Sequence, residues 1–234
     1  MPAFRTPVVI LFAALLLTSH AQTTRSAPKS PTLHQLYIQD QRDRGVTVTD
    51  PDPPLDSTST SKPPDQLDDK TLSQHDEQRR QQVRALLSEG KVTTARDFHD
   101  AAFIFQHGQS SDDYLLAHIL AVEAVVKGDA TSKWISAATL DRYLQTIGHK
   151  QVFGTQYLDK RLAYSFEHRS DADMTEKIKS IPDGMTQQPY DERLIPDALR
   201  LDFCVPNLEQ QTINLAEFEK GLYPAGILPS GCTR

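Results

Sequence analysis

The chain has 234 residues, a formal net charge of -6 and two cysteines. Two cysteines exclude a disulfide-dense mini-protein. An acidic chain in which no basic run exceeds two residues does not read as a nucleic-acid binder. All 15 prolines fall at or before Pro64 or at or after Pro182, so the 117 residues from Asp65 to Ile181 contain none. That run reads as helix, because proline removes a helical donor and clashes with the preceding turn. It argues against an all-β sandwich with frequent turn signals.

Residues 1–21 have the pattern of a secretory signal. Arg5 is followed by an apolar run from Val8 to Leu17, and Ser19-His20-Ala21 supplies small residues for cleavage. A bilayer span needs about 20 apolar residues, so this run is too short for one. The expectation is a secreted or periplasmic protein with no stable membrane span after signal cleavage. Residues 22–70 read as a proline-rich linker, with Pro51, Pro53, Pro54, Pro63 and Pro64 among Asp, Ser and Thr. An island at Leu36–Arg44 interrupts it. It reads either as a short helix or strand docked on the domain, or as a solvated charge cluster.

Four helices are expected next, near 72–89, 95–107, 111–127 and 130–147. Gly90, Gly108, Gly128 and Gly148 follow them, and glycine is common just past a helix end. Thr94–Asp97 and Ser110–Asp113 resemble capping boxes, and Asp129 is placed to cap the fourth helix. Short connections make such helices antiparallel neighbours. The second carries a stripe of Phe98, Ala101, Ala102 and Phe105. The third is apolar over most of its surface and reads as the central, mostly buried helix.

After Gly148, Gln151–Leu158 is rich in strand formers, and Leu162–Phe166 follows a polar turn. The pair suggests a small β-hairpin. A helix near 171–180 and short elements around 191–203 and 212–220 complete the chain. The fold class expected is mainly α: an antiparallel helical-hairpin domain over 71–181, a small β-hairpin, and an irregular C-terminal extension over 182–234. Cys204 and Cys232 lie in that extension. In an oxidising compartment they read as one disulfide, closing a 29-residue loop for about 3.5 kcal/mol of loop entropy.

Asp141 is the most informative polar residue. It falls on the apolar stripe of the fourth helix, after Trp134, Ala137 and Ala138. A buried carboxylate needs partners, and the candidates are His107 or donors within Gln151–Gln156. Asp141 is therefore either a structural anchor or half of an acid/base pair with His107. His107, in turn, is either a helix-end residue favoured by the dipole or that general acid/base. Arg142, Gln151, Thr155, Gln156 and Gln106 are the candidate substrate-binding residues. His118 reads as a satisfied core histidine. His99-Asp100 is too weak a signal for a metal site. No Walker loop, Gly-x-Ser-x-Gly elbow, His-Glu-x-x-His or Cys-x-x-Cys occurs, and no metal or cofactor is expected.

Over roughly residues 76–160, Gln106-His107, Asp141-Arg142 and the run Gln151-Val152-Phe153-Gly154-Thr155-Gln156 resemble a family of bacterial domains of unknown function. The resemblance implies that these polar residues are the family's hallmark; it implies no activity. Over about 98–140 the alanine-rich helices are similar to Sel1-like and tetratricopeptide hairpins, but no second copy follows. Two functions stay open. One is an exported binding or interaction module for a protein or small-molecule ligand. The other is a hydrolase-type enzyme using Asp141 and His107.

Overall fold

The computed structural model describes residues 31–46, 67–168, 170–230 and 232. The expected signal sequence, residues 1–21, and most of the span expected to be linker lie outside the described residues. Within them the chain is mainly helical, with one two-stranded antiparallel sheet. No helix among the described residues is long and apolar enough to cross a membrane.

Helix α1 (Leu33–Asp43) lies inside the span expected to be linker. Thr32 and Gln35 close it with a reciprocal capping box. Leu33 and Leu36 enter the main core, so of the two readings of the Leu36–Arg44 island the docked element is the one found. Helix α2 (Asp69–Ser88) starts at Asp68, whose carboxylate accepts from the backbone of Lys70 and Thr71. Helix α3 (Ala95–Phe105) has the expected Thr94–Asp97 box. Ala101, Ala102, Ile104 and Phe105 on α3 are fully buried.

Helix α4 (Ser111–Val126) begins at Ser110, which accepts from Asp113 N–H. It packs against both α3 and α5 (Ser132–Thr146). Ala117, Leu120, Ala121 and Ala124 face that core, but Ile119, Val122 and Val126 are exposed. The helix is therefore not enclosed as its composition suggests, because only one side of it has neighbours. At its end Gly128, with φ +101°, turns the chain into the next connection. His118 Nδ1 meets the Ser136 carbonyl at 2.9 Å, as a satisfied core histidine does.

The small antiparallel pair is present, but between other residues. Strand β1 (Leu158–Asp159) pairs with β2 (Met185–Thr186) in the extension. Residues expected to form the second hairpin strand belong to helix α6 (Lys160–Glu167), which Asp159 caps. Helices α7 (Met174–Lys179), α8 (Asp197–Asp202) and α9 (Leu208–Glu219) fall where short elements are expected. A second core cluster of Ala137, Phe153 and Val205 joins α5 to this extension. Cys204 and Cys232 form a disulfide, with their Cα atoms 5.6 Å apart.

Candidate functional site

Consecutive residues on α5 point about 100° apart, and the site is built on that difference. Asp141 turns inward and is fully buried. Its Oδ1 accepts from Val152 N–H at 2.7 Å and from Phe153 N–H at 3.0 Å. Its Oδ2 accepts from Thr155 N–H at 2.9 Å and from the Thr155 hydroxyl at 2.8 Å. Of the two partner sets the sequence allows, the donors of the Gln151–Gln156 segment are the ones it meets. This explains why the segment forms no hairpin: three of its backbone N–H groups are spent on one carboxylate and are lost to a strand ladder.

A further ring of amides fixes the loop. Gln151 donates to the carbonyls of Gln156 and Gln187, and its side-chain oxygen accepts from Gln156 N–H. Gln187 donates to the Gly154 carbonyl at 2.6 Å. Tyr190 and Gln211 both donate to the Phe153 carbonyl, each at 3.0 Å. Gly154 sits at φ +82°, and a Cβ there would lie 2.1 Å from the Gln211 side-chain oxygen. Arg200, also buried, donates to the Tyr190 hydroxyl and to the Glu192 carbonyl. Gln187, Tyr190, Arg200 and Gln211 are absent from the sequence-based candidates. They come from the extension, 30 to 60 residues away, where no local pattern marks them.

Burial pushes the Asp141 carboxyl above its ordinary range, and its four hydrogen bonds pull it back. Both oxygens meet only donors, so the ionised form is the one the site fits. Neither oxygen is left to take a proton from a substrate. His107 does not join it. Its Nδ1 lies 3.2 Å from Asp40 on α1, its carbonyl accepts from Arg80, and burial pushes its pKa down. The acid/base pair expected of Asp141 and His107 is therefore not assembled: the carboxylate is sealed by backbone donors, and the imidazole is committed to a different carboxylate.

Arg142 points the other way. Its Nε donates to Gln156 Oε1 at 3.1 Å, and one terminal nitrogen donates to the Gln106 carbonyl at 2.6 Å. The guanidinium lies 5.8 Å from the Tyr114 ring centroid. Among the described residues it has no carboxylate partner. It lines a cleft of about 220 Å³ together with Trp134, Thr155, Gln156, Tyr157 and Phe218. The structure thus brings together Arg142, Thr155, Gln156, Gln151 and, through its carbonyl, Gln106. It leaves His107 apart.

Asp40, Asp76 and His107 alone, among the described residues, have ligand atoms close enough together for a metal ion. Their oxygens are already engaged. Arg44 reaches Asp40 at 2.8 Å and Asp76 at 2.6 Å, and Arg79 reaches Asp76 at 2.7 Å and Asp43 at 2.6 Å. This cluster clamps α1 onto α2 and carries no argument for a metal. His99 faces Ser132 and Asp129, while Asp100 bonds His34, so that dipeptide does not converge on one ion either. No protein-family model matches the chain, and no curated protein or solved structure matches it.

Proposed function

We propose that the chain is an exported binding module whose ligand site is the cleft beside Arg142. The observation that carries this reading is the contrast between two adjacent residues. Asp141 has every acceptor position filled by the protein, whereas Arg142 lines a cleft with aromatic side chains and keeps N–H groups without a protein acceptor among the described residues. A wall fixed by buried hydrogen bonds, with one polar group left open, suits a preformed ligand site. It does not suit proton transfer, which needs a group able to gain or lose a proton. Support for export comes from the signal-like residues 1–21 and from the Cys204–Cys232 disulfide, a bond favoured in oxidising compartments.

The test is chemical-shift mapping with a set of small neutral, cationic and anionic fragments. Responses gathered on Trp134, Thr155, Gln156 and Tyr157 are the expected result. Responses scattered over the surface, or centred on the exposed face of α4, would overturn the assignment of the cleft.

A further inference from the structure

We infer that the ligand class taken by this cleft is a monocarboxylate with an apolar or aromatic body, an inference that rests on reading the cleft as a ligand site. Arg142 is the one charged side chain among the residues lining it. A guanidinium has five N–H donors. Protein acceptors take one from Nε and one from a terminal nitrogen, which leaves three without a protein acceptor among the described residues.

The neighbouring polar groups cannot share the task. The Thr155 hydroxyl proton is given to Asp141. The Gln156 side-chain nitrogen donates to the Ala138 carbonyl and to Thr155 Oγ1, and its oxygen is held by Arg142. The unused N–H groups of this one cation therefore set the polar end of the ligand, and an anion whose oxygens accept from them is their match. A single positive charge balances a single negative one. It does not balance a phosphate dianion, and the chain's net charge of -6 opposes polyanions further.

The rest of the cleft defines the body. Tyr157 and Phe218 lie with ring centroids 4.9 Å apart, and Trp134, Met185, Val205 and Ile227 complete an apolar lining. Burial raises the Tyr157 phenol to about 12, so it stays neutral and adds no repulsion toward an anion. Half-buried Arg142 is desolvated, which strengthens its attraction for a carboxylate that enters and excludes water. A carboxylate joined through a short alkyl link to a ring satisfies both ends of the cleft.

The experiment is calorimetric titration of the intact, oxidised chain with 3-phenylpropionate, its neutral amide 3-phenylpropionamide, and inorganic phosphate. The site is confirmed from the Trp134 indole and Thr155–Tyr157 amide resonances. The acid should bind saturably and at least about tenfold more tightly than the amide or phosphate. Arg142→Gln should lower affinity for the acid to that of the amide, and Arg142→Lys should fall between. Equal binding of acid and amide at the cleft would overturn the carboxylate assignment while leaving the cleft a ligand site. Phosphate binding as tightly as the acid would overturn the monocarboxylate class. Binding of neither organic probe at millimolar concentration, with cleft resonances unmoved, would overturn both. Should Arg142→Gln fail to fold, the comparison of acid with amide on the native chain decides alone.

Discussion

Asp141→Asn separates a structural carboxylate from a catalytic one, and its cost follows from the hydrogen bonds. The asparagine oxygen can still accept from Val152 and Phe153. Its amide nitrogen then faces Thr155, whose hydroxyl can turn to accept but whose N–H cannot. One orphaned backbone donor costs about 1–3 kcal/mol, and loss of charge from the two remaining bonds costs about 1 kcal/mol each. Relief from burying a charge offsets part of that, leaving about 2–4 kcal/mol. Domains of this kind are stable by about 5–15 kcal/mol, so the variant should fold. Its melting temperature should fall by about 5–15 °C, at about 2–4 °C per kcal/mol for a domain of this size. Asp141→Ala orphans three backbone N–H groups and should cost more than Asp141→Asn, about 3–9 kcal/mol. Urea unfolding followed by circular dichroism gives the difference. A loss for Asp141→Asn below about 0.5 kcal/mol, the level of an inert surface change, would refute the reasoning.

Three more outcomes follow from the same geometry. Gly154→Ala forces a left-handed residue and drives a Cβ against Gln211 and Tyr190; it should cost about 2–4 kcal/mol, and an unchanged melting temperature would contradict it. Reducing Cys204–Cys232 releases the tail that places Tyr223 and Ile227 on the cleft. It should lower stability by about 2–4 kcal/mol, and coincident urea curves with and without reductant would contradict that. Burial lowers the pKa of both His99 and His107 below 6.5. The unfolded chain thus binds protons there that the folded chain refuses, so this contribution is fully present above about pH 7 and is lost on acidification. Burial also pushes Asp100 up to about 6, which gives the opposite slope below that pH. The melting temperature should therefore begin to fall as the pH passes below about 6.5, with Asp100 offsetting part of the loss below about pH 6, and a flat or rising profile from about pH 7 to 5 would contradict the histidine assignment.

The helices of the main core were legible because their ends carry local chemistry. The Thr94–Asp97 box, the Ser110 cap and the glycines after α2, α4 and α5 are short-range signals, and the structure uses each. Asp141 was legible too, since a carboxylate on an apolar stripe must find donors. What hid was long-range. Gln151–Leu158 has the composition of a strand, but its N–H groups serve Asp141, and its carbonyls serve Gln187, Tyr190 and Gln211 from the extension. Nothing near those residues announces that role. Helix α1 hid for a related reason. Asp40 and Gln41 look like a solvated cluster, and they become internal only because Arg44, Arg79 and His107 surround Asp40. His107 reads as a partner for Asp141 because the sequence leaves open whether the Leu36–Arg44 island docks, and does not place Asp40 beside it.

The central claim is that Asp141 organises the wall of the cleft as a permanently occupied structural acceptor. Amide hydrogen exchange of the native, oxidised chain tests it most directly. Val152, Phe153 and Thr155 lie outside any helix or strand, and as ordinary loop amides they would exchange rapidly. Bonded to Asp141, all three should exchange as slowly as the buried amides of α5, and together, through global unfolding. Fast, independent exchange of these three amides in the folded protein would contradict the account.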